Sequence, residues 1–156
     1  MTLAVLALDP GTRTGWAFAE DGGPIAARTV DLSAHAGDQA ALLDAWDQWL
    51  ERTLLALRPA VLVVEDPPTR LPSGHAVQVL VGMRTLALLA ARRMELLLEL
   101  VPPPRWQAWA RRRHGWSRAR KSDAGDARQL LAWWLEVRRP LVVTQDGRPV
   151  GAAACT

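Results

Sequence analysis

The chain has 156 residues, enough for one ordinary domain that buries about two-thirds of the surface its unfolded form exposes. Its 19 basic and 16 acidic side chains leave a net charge of +3, and its single cysteine, Cys155, has no partner within the chain, which excludes an internal disulfide framework or a cysteine-based zinc site and fits a reducing cytoplasm. The apolar start Leu3–Leu8 is too short for a signal-peptide core and lacks a basic leader, while the Leu-rich stretch Thr85–Val101 is broken by Arg92, Arg93, Glu95 and Glu99, so a soluble protein with no membrane partner is expected.

Leu3-Ala-Val-Leu-Ala-Leu8 is a continuous apolar run ended by Asp9-Pro-Gly, the pattern of a strand buried on both faces and stopped by a turn. Gly15–Ala19 and Ile25–Leu32 flank the turn cluster Asp21-Gly22-Gly23-Pro24 and predict two antiparallel strands that form a meander with the first. Over Asp38–Leu57, Leu43, Trp46, Leu50, Leu54 and Leu57 recur at the three-and-four spacing of one helix face, and Pro59 closes the helix. Ala60-Val-Leu-Val-Val64 is a second fully apolar, β-branched run, and it too delivers an acid, Glu65, at its C-terminal end. Ala76–Arg92 predicts a helix apolar nearly all the way round, which needs cover on more than one side. Leu96–Val101 then predicts a fifth strand, Arg105–Arg113 a short helix stopped near Gly115, and Ser122–Val137 a last helix before Pro140. The expected fold is α/β: a mixed five-stranded sheet whose first three strands are an antiparallel meander, flanked by helices, in one domain over residues 1–140. The tail Leu141–Thr156, with Asp146-Gly147 between Val142-Val143 and Val150, reads either as a small hairpin or as a disordered end.

The chemistry is carried by carboxylates. Asp9 and Glu65 each end a buried strand, and the last helix opens with Asp123 and Asp126, whose spacing of three places both on one helix face. Mg²⁺ takes hard oxygen ligands in near-octahedral geometry, so three or four clustered carboxylates are what a two-metal phosphodiester site requires. Three of the four also have a plainer role open to them: Asp9 as a turn former, Glu65 as a strand-end residue, Asp123 as a first-turn complement to the helix dipole. Charge is unevenly placed. Between Arg105 and Lys121 there are seven basic residues and no acid, while Asp38–Glu51 carries four acids and no base. Arginine pairs with phosphate in a fixed two-pronged geometry, and with Trp106, Trp109, His114 and Trp116 interleaved the basic run reads as a nucleic-acid surface, or equally as a solvated helix face over buried tryptophans.

Leu6-Ala-Leu-Asp-Pro-Gly-Thr-Arg-Thr-Gly-Trp-Ala17 resembles the first motif of RuvC-type Holliday junction resolvases, in the ribonuclease H-like superfamily. Val61-Leu-Val-Val-Glu65 resembles the second acidic strand, Leu80-Val-Gly-Met-Arg-Thr-Leu-Ala-Leu-Leu-Ala90 the glycine-containing helix after it, and Lys121-Ser-Asp-Ala-Gly-Asp-Ala-Arg-Gln-Leu-Leu-Ala132 the closing motif, so the likeness spans residues 3 to about 135. It implies a ribonuclease H-like fold, metal ligation and catalysis by Asp9, Glu65, Asp123 and Asp126, and two Mg²⁺ or Mn²⁺ ions per active site. It also implies a homodimer acting on branched DNA, in a bacterial or phage-encoded cytoplasmic protein. Arg70, Arg84, Arg105, Arg111, Arg112, Arg113, Arg118, Arg120 and Lys121 are the candidate phosphate contacts. The loop Asp66–Gly74 contains no aromatic residue, where RuvC resolvases usually place one to open the junction, and the stretch before the closing aspartates is short. Three other readings stay open: a YqgF-like RNA-processing nuclease, a non-catalytic nucleic-acid-binding protein on the same scaffold, and, ranked last because the chain is too short for its two lobes, a sugar-kinase or actin-like phosphate site.

Overall fold

Alternating and continuous apolar runs become five strands: β1 (Ala4–Asp9), β2 (Arg13–Glu20), β3 (Ala26–Asp31), β4 (Val61–Glu65) and β5 (Leu97–Val101). They form one sheet of order β3-β2-β1-β4-β5 in a computed structural model that describes residues 3–67, 74–117 and 122–139. The first three strands are the antiparallel meander, with Asp9 opposite Gly15 and Trp16 opposite Arg28. β1 and β4 run parallel, Leu8 opposite Val64, and β4 and β5 run parallel, Glu65 opposite Val101. The two continuous apolar strands are neighbours at the centre, where both faces are covered, as such composition demands.

Four helices supply that cover: α1 (Gln39–Leu57), α2 (Gly74–Arg93), α3 (Pro103–His114) and α4 (Asp123–Trp133). Because strand side chains alternate in direction, the sheet divides the core in two. Leu6, Leu8, Leu62 and Val64 pack with Trp46, Leu50 and Leu54 of α1 and Val79, Met83 and Ala87 of α2. Val5, Ala7, Val61 and Val63 pack on the other side with Trp106 and Trp109 of α3 and Leu130, Leu131 and Trp133 of α4.

Local signals account for the helix ends. Asp38 caps α1 by accepting hydrogen bonds from the Ala40 and Ala41 N–H groups, at 2.9 and 3.1 Å, and Arg58 ends the helix in the left-handed region at φ 45° with its N–H on the Leu54 carbonyl. Ser122 caps α4 by accepting from the Gly125 N–H at 3.1 Å. The helix expected over Ser122–Val137 is α-helical only to Trp133. Trp134–Arg138 widens into a π turn, and from it the Trp134 indole donates to Glu99 Oε2 at 2.8 Å while Arg138 pairs with Glu99 Oε1, so one β5 carboxylate anchors the widened turn twice.

The apolar surplus of α2 is covered only in part. By length and composition α2 is apolar enough to cross a membrane, yet Val79, Met83, Ala87, Ala90 and Ala91 are buried in the core, and at Gly82 an added Cβ would stand 2.9 Å from both Leu43 methyl carbons of α1. Val81, Leu88 and Leu89 remain exposed on its other flank. The tail 141–156 lies outside the described residues.

Candidate active site

Asp9 and Glu65 occupy the C-terminal ends of adjacent parallel strands, the rim of an open α/β sheet where ligands ordinarily bind. By the two-residue period they continue the rows Val5–Ala7 and Val61–Val63, so both carboxylates belong to the face covered by α3 and α4. Together with Pro10, Pro67 and Leu80 they line one small cleft. The β4 end is fixed by one further rung, the Asp66 N–H donating to the Val101 carbonyl at 2.9 Å. The turn after Asp9 is fixed by Thr14, fully buried, whose hydroxyl donates to the Gly11 carbonyl at 2.7 Å and accepts from the Gly11 N–H and the Trp46 indole at 3.2 and 3.0 Å.

The first turn of α4 is brought to the same rim by an absent side chain. A Cβ on Gly15 would lie 1.9 Å from the Asp123 carbonyl oxygen and 2.3 Å from its carbon, so only glycine lets the helix start sit on β2, beside Asp9 in register. Asp123 is then held from outside: Arg13 Nε lies 3.2 Å from its Oδ2 while the Arg13 NH1 lies 3.1 Å from Asp31 Oδ2, tying α4 to β2 and β3. The Ser33 hydroxyl and backbone N–H, with Arg13 adding a weaker attraction, hold the Asp31 carboxyl below its ordinary pKa. Asp126, one turn on, is 2% exposed and accepts from the Trp116 indole at 2.8 Å. Glu65 accepts from the Trp106 indole at 2.7 Å.

The four candidate acids therefore stand around one rim in two arrangements. Asp9 and Glu65 share the cleft, whereas Asp126 is turned into the α3 side and Asp123 toward Arg13; among the described residues no three His, Cys, Asp or Glu side chains are grouped closely enough to share a metal ion. Two carboxylates on rigid strand ends, opening on a solvent-accessible cleft, do fit a hard divalent cation. Mg²⁺ characteristically takes one or two protein carboxylates and keeps several waters.

The basic run of α3 divides by its neighbours. Arg105, Arg111, Arg112, Arg113 and His114 are exposed, but Arg113 lies 3.6 Å from Glu136 and the Arg111 guanidinium stands over the Trp116 ring at 5.6 Å. Arg84 is paired with Asp66 at 3.1 Å, next to the cleft. Arg70, Arg118, Arg120 and Lys121 lie outside the described residues. Of the two readings of this run, Trp106 and Trp109 bear out buried tryptophans and not a stacking surface: they are 1% and 9% exposed and face the core, not solvent. Their positions, with Ala110, follow the three-and-four spacing of a buried helix face, a signal the density of arginine between them obscures. Gly15, Trp106 and Trp116 are visible in the sequence, in the first motif and in the basic run, but the contacts they and Thr14 make at the site are not.

No protein-family model and no curated protein sequence matches the chain. Solved structures do. T. thermophilus RuvC in complex with a Holliday junction substrate superposes at TM-score 0.62 with 15% identity, over 95% of this chain and 100% of that one. A second Thermus thermophilus RuvC structure gives 0.57 and 16%, over 95% and 100%. The yeast mitochondrial Holliday junction resolvase Ydc2 gives 0.55 and 18%, over 85% of this chain and 60% of that one. The chain thus has the mixed five-stranded, ribonuclease H-like fold of the RuvC resolvases.

Proposed function

We propose that this protein is a metal-dependent, structure-selective DNA endonuclease that resolves four-way junctions, with a role in recombination and repair. The observation that carries the reading is the pair Asp9 and Glu65, side by side at the ends of two central parallel strands and lining one cleft of a RuvC-like fold. These two residues would hold Mg²⁺ or Mn²⁺, with Asp123 and Asp126 on α4 as the acids nearest to completing a two-ion site. Held there, divalent ions would supply activation of a water and offset the charge on the leaving 3′ oxygen. The chain's own part is to fix the two carboxylates on strand ends, to wall the cleft with Pro10, Pro67 and Leu80, and to hold the phosphate backbone in place despite the negative charge of the acids.

A homodimer suits this reading, since a four-way junction presents two symmetry-related strands and the exposed Val81, Leu88 and Leu89 of α2 form an apolar strip for a second copy. Incubated with Mg²⁺, the purified protein should nick a four-way DNA junction in preference to duplex or single-stranded DNA and structured RNA, leaving 5′-phosphate ends, and chelation should stop it. Cleavage confined to RNA would replace the reading by an RNA-processing one. Metal-independent binding without cleavage of any substrate would reduce the protein to a nucleic-acid-binding module.

Substrate grip should be electrostatic. Arg105 and Arg112 are exposed and without an ion pair among the described residues, which makes them the α3 arginines best placed to meet phosphate. Replacing both with Ala should weaken binding on all sequences alike and make the log–log salt dependence shallower by about one for each phosphate no longer neutralised. An unchanged slope would place the grip elsewhere on the protein.

A further inference from the structure

Asp123 is engaged by a cation of the protein's own. The Arg13 Nε–H donates to its Oδ2 at 3.2 Å, and the NH1 of the same guanidinium donates to Asp31 Oδ2 at 3.1 Å. Asp31 is held in turn by Ser33, whose hydroxyl and backbone N–H both donate to its Oδ1. The contact with Asp123 is open to water, the two side chains being 60% and 28% exposed, and an ion pair of that kind is weak. The backbone of Asp123, by contrast, is fixed close to Asp9. Its Cα stands 3.1 Å from where a Cβ on Gly15 would be, and Gly15 faces Asp9 across the β1–β2 ladder, where partner Cα atoms lie about 4.5–5.5 Å apart. It is therefore the carboxylate of Asp123, and not its helix, that is directed away from the cleft.

Resting on the endonuclease reading above, we propose that Arg13 is a positioning residue that acts as a stand-in cation: it holds the Asp123 carboxylate beside the cleft until a divalent cation bound at Asp9 and Glu65 takes that carboxylate over. A third acid beside two strand-end carboxylates is repelled by them, and Arg13 offsets its charge. The exchange asks little of the fold. A change of staggered side-chain rotamer redirects the Asp123 carboxylate while the Ser122 cap and the first turn of α4 stay in place. Asp31 keeps the guanidinium at the rim, so Arg13 gives up one of its two acidic partners and not both. A hard dication, which collects charged oxygen ligands, outcompetes a single exposed guanidinium for the carboxylate. A plain structural tie between α4 and the strands predicts the opposite sign: losing Arg13 would then loosen the rim and weaken metal binding.

The test is the Mn²⁺ affinity of the full chain, measured by electron paramagnetic resonance in the absence of DNA. Arg13→Met keeps an apolar stem and removes the charge, and it should tighten Mn²⁺ binding by roughly two- to five-fold, the worth of an exposed ion pair. The same substitution made together with Asp123→Asn should bring no gain over Asp123→Asn alone, since the carboxylate that Arg13 withholds is gone. Asp31→Asn undoes the tie to β3 but leaves Arg13 on Asp123, and it too should bring no gain. Unchanged or weaker binding in Arg13→Met would make Arg13 a tie and nothing more, overturning the proposal. A gain that persists beside Asp123→Asn would be the field of the lost charge acting on Asp9 and Glu65, and it would overturn the proposal as well, as would an equal gain from Asp31→Asn. All of these outcomes leave the endonuclease reading standing, whereas absence of any Asp9-dependent Mn²⁺ binding by the wild-type chain would overturn both. Should Arg13→Met not fold, the wild-type protein answers by itself: on titration with Mg²⁺ the Arg13 Nε–H resonance should shift as it loses Asp123, while that of Arg128, whose guanidinium donates to the Ile25 carbonyl, should stay. An Arg13 resonance that does not move at saturating Mg²⁺ overturns the proposal.

Discussion

Asp9→Asn is expected to cut junction cleavage by roughly 10³-fold, the several kcal/mol of charge stabilisation lost with a ligated cation converting at about 1.4 kcal/mol per decade. The substitution keeps the size of the side chain and leaves the Thr14 clamp of the following turn in place, so the fold survives. What it removes is one of the two carboxylates that line the cleft among the described residues. Asparagine offers a neutral carbonyl oxygen to a hard cation that discriminates strongly for charge, and the remaining Glu65 cannot supply both charges by itself. Junction binding should be retained, because the exposed arginines proposed to meet phosphate lie on α3 and not in the cleft. Single-turnover cleavage measured beside gel-shift affinity separates the two effects. Wild-type cleavage rates in the variant would show that Asp9 is a turn residue and no more.

Among the described glycines, Gly15→Ala should have the largest structural effect. The new Cβ would meet the carbonyl group of Asp123 at 1.9 Å, and because that neighbour is backbone and not the end of a flexible side chain, either β2 or the start of α4 must move. Overpacking costs about 1–3 kcal/mol where side chains can adjust, so a cost at or above the top of that range, about 3 kcal/mol, is expected. At roughly 2–4 °C per kcal/mol for a domain of this size, Tm should fall by about 6–12 °C. Displacing the α4 start also shifts Asp123 and Asp126 from the rim that Asp9 occupies, so cleavage should fall with stability, in contrast to Asp9→Asn. A variant that melts with the wild-type protein would mean that α4 does not rest on β2 at this point.

The two predictions differ in how visible their grounds are in the sequence. That Asp9 and Glu65 end buried strands is legible from Leu3–Leu8 and Ala60–Val64 alone, since only a central strand tolerates an unbroken apolar run followed at once by an acid. The adjacency of those two strands is a property of the parallel pairing across α1, which periodicity does not encode and the resemblance to RuvC implies. Gly15 is visible as a letter in the first motif, but its reason, a helix start far along the chain pressed on the strand, is long-range and has no local signature. The tryptophans mislead for a related cause. Arginine between Trp106 and Trp116 suggests solvent and polyanion, yet side-chain direction on a helix is set by position, and Trp106, Trp109 and Ala110 share one buried face while Arg105, Arg111, Arg112 and Arg113 point outward. The spacing of Asp123 and Asp126 places both on one first turn, as the structure has them, but which neighbour each carboxylate meets, Arg13 in one case and the Trp116 indole in the other, depends on the folded arrangement of other segments.

Whether Asp9 and Glu65 jointly hold a divalent cation is measured most directly on a crystal of the wild-type protein grown or soaked with Mn²⁺ and recorded at a wavelength where manganese scatters anomalously. An anomalous peak is expected in the cleft between Pro10 and Pro67, within ligand distance of a carboxylate oxygen of both Asp9 and Glu65. Absence of manganese there at saturating concentration, or a peak bound by neither residue, would contradict the assignment of these two acids as metal ligands.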